Sequence, residues 1–203
     1  MSLNFAFFHV GKEEFPIKFL INSIRKTNPS ASIIQITDKV TKKINDVDLV
    51  WRANFDVSHI MHFRSKCWDE ITREQPNKEF IFIDTDFLVL KDMNKKELFD
   101  NAKHDLSITI RSKENLSSFI NPNFPGFITF PELEGKTWKE IMPYNNGIIF
   151  TKSNKFWKQV LENHNSFSEK YKIWYGDQIS VFKTINSGIF KTNILEERVI
   201  NFI

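Results

Sequence analysis

An apolar strand that runs straight into two acids is the most chemically suggestive stretch of this 203-residue chain: Phe80 to Asp92 reads Phe-Ile-Phe-Ile-Asp-Thr-Asp-Phe-Leu-Val-Leu-Lys-Asp. The apolar run Phe80 to Ile83 suits a strand covered on both faces, as parallel strands of α/β proteins are. Alternate side chains of an extended chain share a face, so Asp84 and Asp86 project together while Thr85 points away. Like charges that close raise each other's cost of ionisation, and a bound cation relieves it. All-oxygen ligands favour Mg2+ or Mn2+ over Zn2+, and such an ion takes one or two carboxylates and fills its shell with water and substrate phosphates. A solvated turn could use Asp-x-Asp equally well. Here, however, a second apolar run, Phe87 to Leu90, sets the acids between two buried stretches. They fall at the carboxyl end of a strand, where open α/β sheets bind ligands.

Three further constellations stand out. Ile60, Phe63, Cys67, Trp68 and Ile71 make one helical stripe, and Arg64 falls inside it. An unpaired charge on a buried face costs several kcal/mol, so Arg64 requires a carboxylate or phosphate partner; as an internal salt bridge it would reach Asp84 or Asp86. Asn145-Asn146-Gly147 precedes the apolar run Ile148-Ile149-Phe150 and offers amide donors and acceptors where backbone can approach a ligand closely, although Asn-Gly alone is a turn signal. Asp177-Gln178 opens a helix carrying Ile179, Phe182 and Ile185, where an N-cap is the ordinary role for the Asp. His59 and His62 are three apart, a spacing that can share a metal, but with no third ligand nearby they read as solvated or core histidines.

The segment Ile83 to Asp92 resembles the Asp-x-Asp segment of nucleotide-sugar-dependent glycosyltransferases of the GT-A fold, the family 8-like ones in particular. Arg64-Ser65-Lys66 is similar to their Arg-x-Lys, Asn145 and Gly147 to their Asn-x-Gly, and Asp177-Gln178 to their Asp-Gln pair, in the family's order over nearly the whole chain. The resemblance implies that Arg64, Asp84, Thr85 and Asp86 meet the donor, with Asp84 and Asp86 holding Mn2+ or Mg2+. It implies that Asn145, with Asn146 and Gly147, holds donor sugar and acceptor, and that Asp177 and Gln178 lie close to the anomeric carbon. By the same likeness His9, Val10, Gly11 and Asp38 lie near the base and ribose, although a satisfied turn aspartate is an equal reading of Asp38. The implied activity is metal-dependent transfer of a sugar, with UDP as carrier, to a glycan or other acceptor hydroxyl, in glycan or lipopolysaccharide-type synthesis. In one respect the chain departs from the pattern: many of these enzymes carry a C-terminal histidine as a further metal ligand, and no His follows His164. That departure favours a catalytically silent nucleotide-sugar binding protein as the alternative. A haloacid dehalogenase-type phosphatase also places Asp-x-Asp after a strand, but Leu88 stands where its Thr or Val is expected.

The elements that must position these groups read as an α/β fold class, and the resemblance implies a GT-A-like three-layer α/β/α sandwich around a mixed, mostly parallel sheet. Leu3 to Val10 reads as a first strand, and Ile17, Leu20, Ile21 and Ile24 as the buried face of a helix stopped by Asn28-Pro29. Ser32 to Thr37 reads as the next strand, a right-handed crossover unit, with Leu49-Val50-Trp51 a short candidate after it. A helix is expected from Ser58, a short one over 95–101, a strand over Leu106 to Ile110, a helix capped by Ser153 with Phe156, Trp157, Val160 and Leu161 inward, and a last strand over Ile189 to Ile194. Residues 111–143 interleave prolines with aromatics and read as an irregular acceptor-side insertion in a single domain, 1–203.

Composition sets the outer bounds. A net charge of +3 with no Lys/Arg block lacks the electrostatic footprint of a nucleic-acid partner, and 21 Phe with 41% hydrophobic residues exclude a disordered chain. No run reaches the roughly 18 apolar residues of a membrane span. A single cysteine, Cys67, and an N-terminus unlike a secretory signal point to the cytoplasm, with peripheral contact at the inner face of a membrane still compatible.

Overall fold

The computed structural model describes residues 3–93, 98, 103–124 and 128–196. Strands β1 (Asn4–Phe8), β2 (Ser32–Thr37), β3 (Leu49–Arg52) and β4 (Phe80–Ile83) pair in parallel, and β5 (Leu106–Ile110) forms the other half of the sheet. A two-stranded hairpin, β6 (Asn123–Phe124) with β7 (Ile128–Thr129), stands apart. β8 (Tyr144–Thr151) inserts antiparallel between β4 and β5, and β9 (Thr192–Glu196) adds parallel to β5. The seven-stranded order is β3-β2-β1-β4-β8-β5-β9.

Both faces of this sheet are covered, which is why its central strand carries no polar residue. Ile81 and Ile83 belong to one buried cluster and Phe80 and Phe82 to the other, the period-two alternation of a strand between two layers. On the first face lies α1 (Phe15–Thr27), whose Ile17, Leu20, Ile21 and Ile24 are all buried, as their helical spacing predicts. On the second lie α2 (Ile60–Glu74) and, after the short α3 (Lys113–Ser117) and α4 (Trp138–Ile141), the helices α5 (Phe156–Asn165) and α7 (Gly176–Asn186), separated by α6 (Glu169–Ile173). Trp68 of α2, Phe82 of β4 and Trp157 of α5 meet there with ring centroids 4.4 to 5.2 Å apart, locking two helices to the strand that ends in Asp84. The three-layer α/β/α arrangement is the expected one.

Several boundaries differ from the sequence reading. The first strand ends at Phe8, so His9 and Val10 lie beyond it. α2 begins at Ile60 with His59 as N-cap. Ser153 does not cap α5; its Oγ accepts the Lys155 N–H at 3.2 Å in the preceding turn, and Leu161 is only half-buried. The last strand starts at Thr192, leaving Ile189 in solvent. Of the candidate helix over 95–101, only Leu98 lies within the described residues, buried in the α1-side core. Residues 111–143 are assembled from short pieces: α3, the β6/β7 hairpin, a 3-10 turn over Pro131–Leu133, and α4. Ile120, Phe130, Leu133 and Met142 give them a small core of their own, which is completed by Tyr175.

Phe82 is fully enclosed between the two helices, so Phe82→Ala should lower unfolding free energy by about 3–5 kcal/mol in urea denaturation. A loss below about 1 kcal/mol would show that the α2/α5 layer does not close on β4 as described.

Candidate active site

Arg64 sits one turn into α2 on the face that packs against the sheet, where hydration cannot pay for its charge. Its Nη1 donates to Asp84 Oδ1 at 2.9 Å, and its Nη2 donates to Asp177 Oδ2. The guanidinium carbon lies 4.8 Å from the centroid of the Trp68 ring. Its Nε is buried without a hydrogen-bond partner among the described residues. Burial alone would make Arg64 easier to deprotonate, but Asp177 and Asp84 outweigh it and raise its pKa, so the guanidinium stays charged. Burial pushes the Asp84 carboxyl up; Arg64 opposes this, and the neighbouring Asp86 and Asp177 add to it, leaving Asp84 above its ordinary value. Asp86 is exposed. Three carboxylates therefore face one guanidinium, an excess of negative charge that favours a further cation.

Asp177 reaches Arg64 because the turn before α7 is unusual. Tyr175, the N-cap, has φ +62°, a left-handed conformation rare for a bulky residue; its hydroxyl donates to Asn121 O at 2.8 Å. At Gly176 a Cβ would lie 2.1 Å from Tyr171 O and 2.7 Å from His164 Nε2, so only glycine fits. His164, wholly buried in α5, donates from Nε2 to Tyr171 O at 3.1 Å, and its Nδ1 lies 3.2 Å from Ser65 Oγ of α2. Burial lowers its pKa, which fits a neutral ring braced between α2 and this turn. The ordinary expectation for Asp177, a helix N-cap, is thus not met: it is the second residue of α7, and its carboxylate goes to Arg64.

β8 delivers the amide cluster to the same end of the sheet. Since β8 is antiparallel to β4, its beginning lies beside the end of β4: Ile83 pairs with Ile148, and the Asp84 N–H donates to Gly147 O at 2.8 Å. Asn145 Oδ1 accepts the Gly147 N–H at 3.0 Å, and Asn146 is buried. The Phe87 ring lies so close over Gly147 that a Cβ there would be 2.2 Å from it, which fixes the chain beyond Thr85 and Asp86 against β8. Gln178, adjacent to Asp177, turns elsewhere: its Oε1 accepts from Arg111 Nη2 at 3.0 Å, while Arg111 also donates from Nε to Met142 O at 3.1 Å and stacks 4.2 Å from the Trp138 ring centroid. The sequence reading passed over Arg111 and His164. Arg111 carried a signal, a charge at the end of an apolar strand; His164 on a helix near many aromatics carried none.

His9, Val10, Gly11 and Asp38 come together around a cavity of about 640 Å³ at the ends of β1 and β2, with Lys12, Thr41 and Lys42 also lining it. Gly11 adopts φ +114°, and its N–H donates to Thr41 Oγ1 at 2.9 Å. Asp38 Oδ1 accepts the N–H groups of Thr41 at 2.7 Å and Val40 at 3.2 Å. Burial works against its charge, but these bonds and Arg52 prevail and hold its carboxyl below the usual range. Asp38 therefore is the satisfied turn residue of one reading, and it also lines the cavity. His9 differs: it is buried, and neither ring nitrogen makes a full hydrogen bond among the described residues, although the Glu13 backbone pulls on the ring. Among the described residues no three His, Cys, Asp or Glu side chains converge into a metal-ligating group. His59 and His62 have separate partners: His59 Nε2 meets Glu169 at 2.8 Å and His62 Nε2 meets Asn165 Oδ1 at 2.6 Å.

The isolation of His9 has a pH consequence. Burial lowers its pKa below 6.5, against the opposing pull of the Glu13 backbone and the charges of Glu14, Asp38 and Glu13. The unfolded imidazole takes up a proton before the folded one does, so this stability is complete above the unfolded value and is lost as pH falls through it toward the native pKa. In urea melts from about pH 7.5 to about pH 5, the stability of wild type relative to His9→Gln should fall. A difference that stays constant with pH would contradict the burial described for this ring.

No protein-family model matches the sequence, and no curated protein matches it by sequence. Among solved structures the fold is similar to that of the glycosyltransferase GlyE of Streptococcus pneumoniae TIGR4, with a TM-score of 0.56 at 14% identity over 98% of this chain. The chain spans about half of that protein, 46% of its length. The α/β architecture with its mostly parallel mixed sheet is thus one that GlyE shares over this span.

Proposed function

We propose that this chain transfers a sugar from a nucleoside-diphosphate sugar, with UDP as carrier, to an acceptor hydroxyl, and that Asp84 and Asp86 hold the Mn2+ or Mg2+ that assists it. The observation that carries the reading is the charge arrangement at the end of β4: Arg64 between Asp84 and Asp177, with Asp86 exposed beside them. The donor set fits a hard cation, since both candidate ligands are carboxylates and the cluster holds excess negative charge; diphosphate oxygens would complete the shell. The position fits a nucleotide as well. The cavity opens at β1 and β2, the acids at β4 on the other side of β1, and two strand spacings amount to about 10 Å, a separation a nucleoside diphosphate can bridge.

In this mechanism a bound divalent ion would neutralise the departing diphosphate. The residues of the chain do the rest. Arg64, kept charged by its two carboxylates, supplies fixed positive potential next to the leaving group without reorganising. His9, Gly11 and Asp38 seat the nucleoside. Asn145, on the strand beside Asp84, orients the sugar, and Asp177 and Gln178 place the sugar or the attacking oxygen, each pre-set by an arginine, Arg64 and Arg111. The acceptor would enter along residues 111–143, which pack through Tyr175 against the segment bearing Asp177 and Gln178. GlyE, described as a glycosyltransferase, supports this reading through shared architecture.

One observation favours a second reading, a nucleotide-sugar binding protein without turnover: Arg64 already engages Asp84, leaving Asp86 as the freely exposed acid. Thermal shift with UDP-sugars in the presence and absence of Mn2+, followed by turnover of the sugars that bind, separates the two. Asp86→Ala should abolish the Mn2+-dependent part of the shift; an equal shift in wild type and variant would remove Asp86 from the cation's shell. Asn145→Ala should leave the UDP shift in place and lower transfer by about 10²-fold. Undiminished transfer would take Asn145 out of the reaction, and binding without turnover of any sugar in wild type would favour the binding protein.

A further inference from the structure

The outward side of α1 has a composition that water alone does not explain. Phe15 and Phe19, one turn apart with ring centroids at 4.9 Å, are 69% and 52% exposed. Both lie off the buried face of Ile17, Leu20, Ile21 and Ile24, so the core does not require them. Residues 38–48 lie alongside: Thr41 Oγ1 holds the Gly11 N–H at 2.9 Å, and Arg25 of α1 reaches Asp46 O at 2.9 Å and Asp48 at 2.7 Å. That neighbour adds Val40, which is 84% exposed. On the opposite flank the Val89 N–H donates to Ser23 Oγ of α1 at 2.9 Å, and the next residue, Leu90, is again exposed.

Lysines surround the N-terminal half of this surface. Lys12, Lys18, Lys39, Lys42 and Lys43 are all exposed, Lys18 paired with Glu14 at 3.1 Å and Lys39 3.7 Å from Asp56, with Lys12, Lys42 and Lys43 reaching outward. The acids of the same segments are engaged within the chain: Glu13 accepts the Phe15 N–H, Glu14 pairs with Lys18 at 3.1 Å, and Asp38 accepts two backbone N–H groups of its own turn. Asp46 stands at the far end of α1, beside Arg25. Aromatic rings interleaved with ammonium groups suit an anionic bilayer, because the rings enter the acyl boundary while the lysines reach headgroup phosphates. A second copy fits poorly. In a two-fold contact the same patch meets itself, and lysine would oppose lysine.

We propose that this corner of the molecule docks peripherally on an anionic lipid surface. The inference stands independently of sugar transfer, and no helix of the described residues is long and apolar enough to cross a membrane. Glu14, directly before Phe15, lines the cavity at β1 and β2, so docking sets the rim of that cavity at the lipid surface.

The test is co-sedimentation of the full chain with phosphatidylcholine vesicles, with and without phosphatidylglycerol. Wild type should pellet with the mixed vesicles and not with the neutral ones, and the bound fraction should fall as salt is raised. Phe15→Ser with Phe19→Ser should weaken partitioning by about tenfold or more, and Lys39→Glu with Lys43→Glu should remove the preference for anionic lipid. Because all four side chains are exposed, the variants should keep the wild-type melting curve, which confirms that they are folded. Wild type remaining in the supernatant with both vesicle types, or the Phe variant binding as well as wild type, would overturn the proposal. A concentration-dependent dimer in sedimentation velocity that the Phe substitutions abolish would also overturn it, by assigning the face to a second copy.

Discussion

A guanidinium that cannot be hydrated has to be matched, and in this fold the matching of Arg64 ties α2 to the end of β4 and the start of α7. Its two carboxylates come from the end of β4 and the beginning of α7, separated from α2 by very different stretches of chain. Replacing such a buried triad with well-packed apolar residues is often neutral or stabilising, since buried charges recover their desolvation only through near-ideal geometry. Stability is therefore a weak reason for its presence. A fixed positive charge at a strand terminus, with surplus carboxylate beside it, is costly scaffolding and useful electrostatics. The bracing around Asp177, with Tyr175 in a left-handed conformation and a glycine no side chain could replace, has the same character of local strain held by its surroundings.

The second constraint is the direction of β8. An all-parallel sheet would gather only strand ends at this edge, each followed by a loop to a helix. By entering antiparallel between β4 and β5, β8 brings a strand beginning there, and Asn145 to Gly147 lie on regular backbone next to Asp84. The pairing with β5 shifts register between Ile108 and Thr109, so the residues around Asn146 bulge out of the ladder on that side. Backbone irregularity at the rim of a sheet re-aims side chains, and here it falls on the segment proposed to meet the sugar.

What could be read from the sequence follows from how local each cause is. β2, β4, β5 and the buried face of α1 were legible because period and composition determine them within a few residues. Arg64 was legible for the opposite reason, as a single violation of an otherwise apolar stripe. The inward face of α7 was not. Ile179, Phe182 and Ile185 look like its core side, yet Ser180, Val181, Thr184 and Ile185 are the buried ones. The hydroxyls of Ser180 and Thr184 donate back to Gly176 O at 2.6 Å and Ser180 O at 2.8 Å, so their polarity is satisfied within the helix and small side chains can pack closely against α5. Ile179 instead joins the cluster beneath residues 111–143. That cluster was invisible to periodicity because its members are drawn from a hairpin, a 3-10 turn and three helices.

The same distinction separates the two halves of the site. The acids, Asn145 and Asp177 sit at element termini whose positions follow from strand and helix patterns, whereas the cavity depends on a long-range contact between the β1–α1 turn and the turn after β2, the Gly11 N–H on Thr41 Oγ1. Nothing adjacent in sequence announces that contact. It matters because it fixes the backbone around His9, which lies buried without a full hydrogen bond to either ring nitrogen, an arrangement with room for a further partner. Arg64 Nε, on the other side of β1, is unmatched in the same way. The cavity at β1 and β2 and the buried Arg64 beside β4 lie along one sheet edge, and the proposed donor, elongated, polar and anionic, would have to reach from one to the other.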